Sequence, residues 1–344
     1  MKRRTSLALL LAATAACSLP LAAGPALAAG EVTVGYQLIN SPWAVPIAQG
    51  RFEQETGYKI NWVKFDAGGK VANAMASGDV HIGVLGSSPF TAAVSRGVDV
   101  ELFWILDDIA ASEAMVAREG SGIDARDPKT LKGKKIATPF VSTAHFHTMF
   151  ALEVFGLKPN EVQLLNMTPP QAAAAWERGD IDAAFVWDPA LARMKKNGSV
   201  VVTSGELSAR GKATFDGIAV GREFARNNKE FMAKFVKVIA EADEAYRQNK
   251  AKWTADSAEV KAVTGLVGGE AADVPASLEL YGFLPLEAQA SPQWLGGGAD
   301  GGVAKTLKAT ADFLKEQGRV DAVLPDYAKY VNAEHVQAAM KLAK

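Results

Sequence analysis

Short apolar segments alternate with amphipathic ones along the first third of the chain. The segments "EVTVGY" (31–36), "YKINWVKF" (58–65) and "VHIGVLG" (80–86) have the length and composition of strands. Amphipathic stretches around them predict helices, of which "GGKVANAMASG" (68–78) and "SSPFTAAVSRG" (87–97) each end at a glycine. The third strand is almost continuously apolar, which is typical of a buried parallel strand. This alternation predicts an α/β layer on a parallel sheet.

The same order of elements then starts again. Strands are predicted at "SEAMVAR", "KKIAT", "EVQLLNM" and "DIDAAFVW", with helices at "STAHFHTMFALEVFG" and "PPQAAAAWERG". The stretches "ASGDVHIGVLGSSPF" (76–90) and "ERGDIDAAFVWDPAL" (177–191) share Gly-Asp, an apolar strand and a turn with proline. After one further strand in "TFDGIAVGRE" (214–223), helices dominate. The repeat predicts two similar α/β lobes whose strand ends face one cleft, where ligands of open α/β sheets bind.

Two shorter predictions concern the first lobe. Ser41 is placed to cap a single helix over 42–57, with Pro42 in its first position. Trp43 in that segment is a candidate either for the cleft or for the core.

Length, composition and charge limit the classes of protein. The 344 residues suffice for two domains, and a hydrophobic fraction of 49% is that of an ordinary globular chain. The net charge is -1 and no block of basic residues occurs. We therefore expect no nucleic acid as a partner, because such binding depends on clustered lysine and arginine.

The N-terminus predicts export. "MKRR" precedes an apolar run and an "ALA" cleavage site, which together indicate a signal peptide over residues 1–28. An uncleaved anchor and lipidation of Cys17 are the less favoured alternatives. Cys17 is the only cysteine, so the mature chain would lack disulfides, a thiolate nucleophile and cysteine metal ligands. We expect an exported protein of the periplasm.

Two predicted helix starts are candidates for anion binding. Ser142 and Thr143 begin one helix, and Ser87 and Ser88 begin another, where free backbone N–H groups attract anions. Ser142 can instead serve only as an N-cap. His145 can line the same site or be structural. Because "HFH" places its two histidines on different helix faces, we expect neither a metal site nor another cofactor.

Several motifs in this order resemble one family. The segments "ASGDVHIGVLGSSP", "SEAMVA", "TPFVSTAHF", "AAAAWERGDIDAAFVWDP" and "TFDGIAV" resemble the taurine-binding proteins of bacterial ABC importers. More widely, they are similar to solute-binding proteins for nitrate, alkanesulfonates and thiamine precursors. The resemblance extends from residue 31 to the C-terminal region.

The resemblance implies a two-lobed periplasmic binding protein of the "Venus flytrap" kind, type II. Two hinge strands would cross between the lobes, near 112–116 and 215–220. The first lobe would comprise residues 29–111 and 217–344, and the second 112–216. The implied protein is a monomer that passes its solute to an ABC permease and its ATPase in the inner membrane.

The resemblance also implies a ligand site. The sulfonate oxygens would be held by Gly86, Ser87, Ser88, Ser142, Thr143 and the backbone N–H of Ala144, beside His145. Asp216 would accept the ammonium group, although a salt bridge to a lysine or arginine is the alternative. Trp187 and Gln37 are further candidates for ligand contact, because each lies at the end of a predicted strand. Glu113 is a weaker candidate, and Asp188 is predicted to be the N-cap of the following helix.

Other functions stay open at this point. Within the same class, the ligand can be an alkanesulfonate, nitrate or a pyrimidine. A hydrolase using Ser142, His145 and Asp216 is conceivable, but no Gly-x-Ser-x-Gly turn surrounds Ser142. A scaffold protein would bind no small molecule. We expect a binding protein and no enzymatic activity.

Overall fold

The computed structural model describes residues 30–342. The predicted signal peptide and Cys17 lie outside this range. The strands are β1 (Glu31–Gln37), β2 (Lys59–Phe65), β3 (Ile82–Gly86), β4 (Val100–Asp108), β5 (Glu113–Arg118), β6 (Lys135–Thr138), β7 (Gln163–Asn166), β8 (Ala183–Trp187), β9 (Gly198–Thr203) and β10 (Phe215–Gly221).

Helices cover both faces of the strands. They are α1 (Ala44–Ala48), α2 (Arg51–Thr56), α3 (Gly68–Ser77), α4 (Ser87–Ser95), α5 (Thr143–Val154), α6 (Pro169–Arg178), α7 (Ala190–Lys195), α8 (Ser204–Ser208), α9 (Arg222–Asn227), α10 (Lys229–Asn249), α11 (Ala258–Val267), α12 (Val274–Leu278), α13 (Leu286–Gln289), α14 (Gly302–Glu316) and α15 (Glu334–Leu342). Within residues 30–342, no helix is long and apolar enough to cross a membrane.

The strands form two sheets of the same design. Their orders are β2-β1-β3-β10-β4 and β7-β6-β8-β5-β9. In each sheet one strand, β10 or β5, runs antiparallel to its two neighbours, while the other strands share one direction. The prediction of a parallel sheet was therefore wrong in part, because the sheets are mixed. We call each sheet with its helices a lobe.

The antiparallel strands are the ones that arrive from the other sheet. The chain leaves the first sheet at the end of β4 and enters the second as β5, and it returns after β9 as β10. This exchange gives a two-lobed α/β fold with two crossing segments, as predicted. The lobe boundaries at 111/112 and 216/217 stay predictions.

The repeated sequence motif has a repeated structure up to the end of its strand. α3 and α6 each end before a glycine, Gly78 or Gly179, with φ of 84° and 78°, a conformation that glycine adopts without strain. The buried strands β3 and β8 follow. The turns then differ, because β3 continues directly into α4 at Ser87, whereas β8 reaches α7 through Asp188 and Pro189.

The segment after β1 differs from its prediction. Gly50, with φ of 64°, separates α1 from α2, so one long helix does not form. Ser41 is not the cap, because α1 begins at Ala44. Trp43 is 2% exposed and packs edge-on against Phe52 and Trp62 at centroid distances of 6.4 and 5.6 Å. It therefore belongs to the core of the first lobe.

Candidate ligand-binding site

Two helix N-termini face each other between the lobes. A Cβ atom added to Gly86, which precedes α4, would lie 2.8 Å from Thr143 Cγ2 at the start of α5. The same atom would lie 3.1 Å from Asp216 Oδ1 on β10. The structure therefore brings Gly86, Thr143 and Asp216, which are far apart in sequence, into one place.

The first turn of α4 presents two unused hydroxyl groups. Ser87 and Ser88 are fully buried, and neither Oγ atom has a hydrogen-bond partner among the described residues. Gly86 occupies the N-cap position and offers no side chain, so the first N–H groups also lack a side-chain cap. Buried donors at a helix N-terminus are suited to an anion.

The first turn of α5 is organised differently. Ser142 Oγ accepts a hydrogen bond from the His145 backbone N–H at 3.1 Å and donates to Pro139 O at 2.6 Å. Its side chain is therefore a helix cap, the alternative function considered above. Thr143 Oγ1 donates to Glu113 Oε1 at 2.7 Å. The groups of this turn that suit an anion are the backbone N–H groups, including that of Ala144.

Asp216 lies beside both helix starts and is not ion-paired within the described chain. Its register partners are Gly86 on β3 and Asp107 on β4. The side chain is 7% exposed, and burial raises the pKa of Asp216 to about 7. The alternative of a salt bridge to lysine or arginine is not realised among residues 30–342. Such a carboxyl group suits a buried cation.

Asp107 is a site residue that the sequence analysis missed. It is fully buried, and neither carboxyl oxygen has a hydrogen-bond partner in the described part of the chain. Burial raises the pKa of Asp107 well above its usual range, and the neighbouring Asp216 raises it further. The sequence feature that could have pointed to Asp107 is "LDD" at the end of an apolar strand. The same pattern is equally typical of a strand end that is exposed to solvent.

Glu113 anchors a hydrogen-bond network at the start of β5. Besides the bond from Thr143, Glu113 Oε2 accepts from Ser204 Oγ at 3.4 Å, and Ser204 lies 2.7 Å from His147 Nδ1. Burial, followed by the charge of Asp216, raises the pKa of Glu113 to about 8. Glu113 thus holds the α5 start in place, and the network through His147 was not foreseen.

Trp187 and Gln37 lie at the strand ends where they were predicted. Trp187 Nε1 donates to Leu38 O at 3.0 Å, which joins the second lobe to the segment after β1. Gln37 Nε2 donates to Val84 O at 3.1 Å, so that its amide is fixed against β3. Both residues are 5% exposed.

His145 lies at the contact between the lobes. Its ring is 4.7 Å from the ring of Phe140 and 6.1 Å from that of Phe313 on α14. Burial, aided by the charge of Arg319, lowers the pKa of His145 to about 4, so the ring is neutral at pH 7. Among residues 30–342, no cluster of histidine and acidic side chains has the arrangement of a metal site.

Asp188 is not the N-cap residue of α7, because Pro189 occupies that position and forms no side-chain cap bond. The Asp188 carboxyl group nevertheless accepts a hydrogen bond from the backbone N–H of Ala192 in the first turn of α7. Asp188 is 2% exposed beside α12, where Asn40 Nδ2 donates to Ser277 Oγ at 2.9 Å.

The site as a whole combines two chemically different sets of groups. Hydroxyl and N–H donors at the starts of α4 and α5 lie next to the carboxyl group of Asp216, whose register partner on β4 is Asp107. Such an arrangement suits a small molecule that carries an anionic group and a cationic group.

A family model described as the NMT1-like family matches residues 28–261. The chain belongs to this family. It is 38% identical over 307 residues to the taurine-binding periplasmic protein of Escherichia coli (strain K12), covering 89% of this chain and 93% of the relative. The family resemblance predicted from the sequence motifs is confirmed.

Two solved structures of sulfonate-binding proteins agree with this chain in fold. The alkanesulfonate-binding protein SsuA from Xanthomonas axonopodis pv. citri, bound to MOPS, has a TM-score of 0.70 and 25% identity, covering 88% of this chain and 97% of that one. The periplasmic aliphatic sulphonate binding protein SsuA from Escherichia coli has a TM-score of 0.70 and 21% identity, covering 89% and 98%. The second likeness concerns the fold alone. The Escherichia coli taurine-binding relative and the Xanthomonas structure are named as binding proteins, which agrees with the expectation of no enzymatic activity.

Proposed function

We propose that the protein is the solute-binding component of an ABC importer and captures taurine, 2-aminoethanesulfonate, between its lobes. It acts in the periplasm as a monomer and delivers its ligand to a permease and ATPase in the inner membrane. The observation that carries the proposal is the juxtaposition of the α4 N-terminus with the buried carboxyl group of Asp216. The 38% identity to a taurine-binding protein supports the same ligand.

Each end of the ligand has its own partners in this proposal. The sulfonate accepts hydrogen bonds from Ser87, Ser88 and the backbone N–H groups at the starts of α4 and α5, and neutral donors suffice because a sulfonate is always ionised. Ser142 contributes by capping α5. The ammonium group donates to Asp216. Trp187, Gln37 and His145 enclose the ligand.

The mechanism is closure of two lobes around the ligand. Gly86 belongs to the first lobe and Thr143 to the second, so a ligand that contacts both helix starts stabilises the arrangement in which they face each other. The ligand shifts the equilibrium by its greater affinity for that arrangement.

Other small anions fit the site less well. Nitrate, a pyrimidine or a plain alkanesulfonate would leave Asp216 without a cationic partner in a buried place. A carboxyl group in that situation is costly unless it is protonated. The carboxyl group therefore favours an aminosulfonate.

Calorimetric titration of residues 29–344 tests the proposal. We expect one-to-one binding of taurine and weaker binding of ethanesulfonate, which lacks the amine. Asp216→Asn should weaken taurine binding at least about tenfold, because removing one partner of a buried charge pair costs roughly 2–5 kcal/mol. Asp256→Asn, at an exposed position, is the control. Saturation by nitrate or ethanesulfonate without any response to taurine would refute the ligand assignment.

A further inference from the structure

Asp107 and Asp216 are register partners on β4 and β10. Side chains of antiparallel register partners lie on the same face of a sheet. The pairing shifts register just after Asp216, and the charge of Asp216 still acts on Asp107. We propose that these two carboxyl groups form one pocket that binds the ligand's ammonium group, so that ligand capture releases a proton to solvent. The proposal rests on the proposed function, because it assumes an amine-bearing ligand.

The first support is the state of the Asp107 side chain. It is fully buried, and both of its oxygen atoms lack a hydrogen-bond partner among the described residues. Buried polar groups without partners are uncommon in folded proteins, since each costs roughly 1–3 kcal/mol. An ammonium group carries three N–H donors, enough to reach Asp107 and Asp216 together.

The second support is the charge of the surroundings. The charged groups that act on Asp107 are Asp216, Asp108, Glu113 and Asp243, all of them acidic. The charge of Arg247 acts on Asp243 and does not appear among the charges that act on Asp107. No basic side chain of the described chain therefore neutralises Asp107 or Asp216 directly.

A buried tyrosine lies near the two carboxyl groups. The backbones of Asp108 and Gly282 exchange two hydrogen bonds of 2.9 Å, which holds the segment before α13 against the end of β4. This places the buried Tyr281, whose hydroxyl lies beside Ser112, close enough for the charges of Asp188, Asp107 and Asp216 to act on it. Burial raises the pKa of Tyr281 well above its usual value, so the hydroxyl stays protonated and can donate to a carboxylate.

The release of a proton on ligand binding follows from charge balance. Burial raises the pKa of both carboxyl groups, to about 7 for Asp216, so below pH 7 Asp216 is mostly protonated in the ligand-free protein. An ammonium group between them favours the ionised form and lowers the pKa. One carboxyl group then loses its proton to solvent while the ammonium group keeps all of its own. Affinity should accordingly rise as the pH increases from 5 to 8.

Calorimetry at pH 6 in two buffers of different ionisation enthalpy measures the proton directly. For the wild type with taurine, we expect release of roughly one proton for each ligand bound. Asp107→Asn should lower taurine affinity at least tenfold and reduce the proton release, yet leave ethanesulfonate affinity within twofold. The double variant Asp107→Asn with Asp216→Asn should lose taurine affinity by a smaller factor than the two single-variant factors multiplied together. The reason is that both carboxyl groups bind the same ammonium group. Asp256→Asn is again the control.

The outcomes separate this inference from the proposed function. A wild type that does not bind taurine overturns both. A wild type that binds taurine without releasing a proton at pH 6 overturns the two-carboxylate pocket and leaves the function intact, and this measurement needs no variant to fold. If the Asp107→Asn protein binds taurine as tightly as the wild type, the two-carboxylate pocket is likewise overturned and the proposed function is left intact. Equal losses for taurine and ethanesulfonate would assign Asp107 a structural role only.

Discussion

Individual carboxyl groups determine the chemistry of this site. Glu113, Asp107 and Asp216 are all buried, and burial raises the pKa of each. Glu113 accepts hydrogen bonds from Thr143 and Ser204, whereas Asp107 accepts none from the described residues. Glu113 therefore has a structural network of its own, and the other two remain available to a cation.

These raised pKa values predict a pH dependence of stability. A carboxyl group with a higher pKa in the folded state than in the unfolded state keeps its proton to a higher pH when the protein is folded. For Glu113, the free energy of unfolding is therefore highest below pH 4.5 and decreases as the pH rises to about 8. The loss should be on the order of a few kcal/mol. We expect the Tm to fall by several degrees between pH 5 and pH 8, measured by circular dichroism without ligand.

Glu113→Gln separates this contribution from the rest. The amide stays neutral, so its melting curve should depend less on pH than that of the wild type. Glu119→Gln, an exposed neighbour on the same chain segment, should behave as the wild type. Equal pH slopes for Glu113→Gln and the wild type would contradict the explanation.

The sequence revealed some of these residues and not others. Asp216 could be predicted because a lone carboxylate within an apolar strand demands a partner. Asp107 could not, since its importance depends on β10 returning from the other sheet to pair with β4. Ser142 could not be decided either, because an N-cap and an anion ligand require the same residue type at the same position.

At the scale of elements, the contact between the starts of α4 and α5 depends on a glycine. Any Cβ at position 86 would approach Thr143 Cγ2 to 2.8 Å, a separation that packed carbon atoms do not tolerate. The absence of a side chain is thus what allows β3 and α5 to meet. Helix starts were predictable from the serines, but this close approach was not, because it joins residues of different lobes.

Gly86→Ala tests the contact between these elements. We expect taurine affinity to fall at least about tenfold, because one methyl group must push the two helix starts apart, while the Tm changes little. Titration and thermal melting measure the two effects. Gly265→Ala is the control, since a Cβ at Gly265 on α11 meets nothing within 4 Å. An unchanged affinity for Gly86→Ala would mean that the starts of α4 and α5 need not meet when ligand binds.

At the scale of the molecule, a few specific contacts join the two lobes. Trp187 Nε1 donates to Leu38 O, Lys196 Nζ lies 3.3 Å from Asp273 Oδ2, and the rings of Phe146 and Phe313 meet edge-to-face at 4.8 Å. The Lys196 pair is largely exposed and contributes little. The part-buried hydrogen bond of the Trp187 indole is therefore the polar contact expected to stabilise the closed arrangement of the lobes most.

Trp187→Phe removes this bond and keeps an aromatic ring. A hydrogen bond contributes roughly 0.5–1.5 kcal/mol, so taurine affinity should fall about twofold to twelvefold. Titration measures the affinity, and small-angle scattering should show a larger radius of gyration for the variant at the same taurine concentration. Trp294→Phe, on the first lobe, is the control. A loss of Tm with unchanged affinity would instead assign Trp187 to packing alone.

The exchange of strands between the sheets has a consequence for the order in which the protein can be assembled. The second sheet is built entirely from one continuous stretch, β5 to β9, whereas the first needs β10, which is made after that stretch is finished. During synthesis the lobe whose first strand emerges earliest is therefore the last to be completed. β3 and β4 remain without the strand that separates them until residues 215–221 arrive. We infer that a chain truncated before residue 215 can still complete its second sheet but leaves its first sheet open.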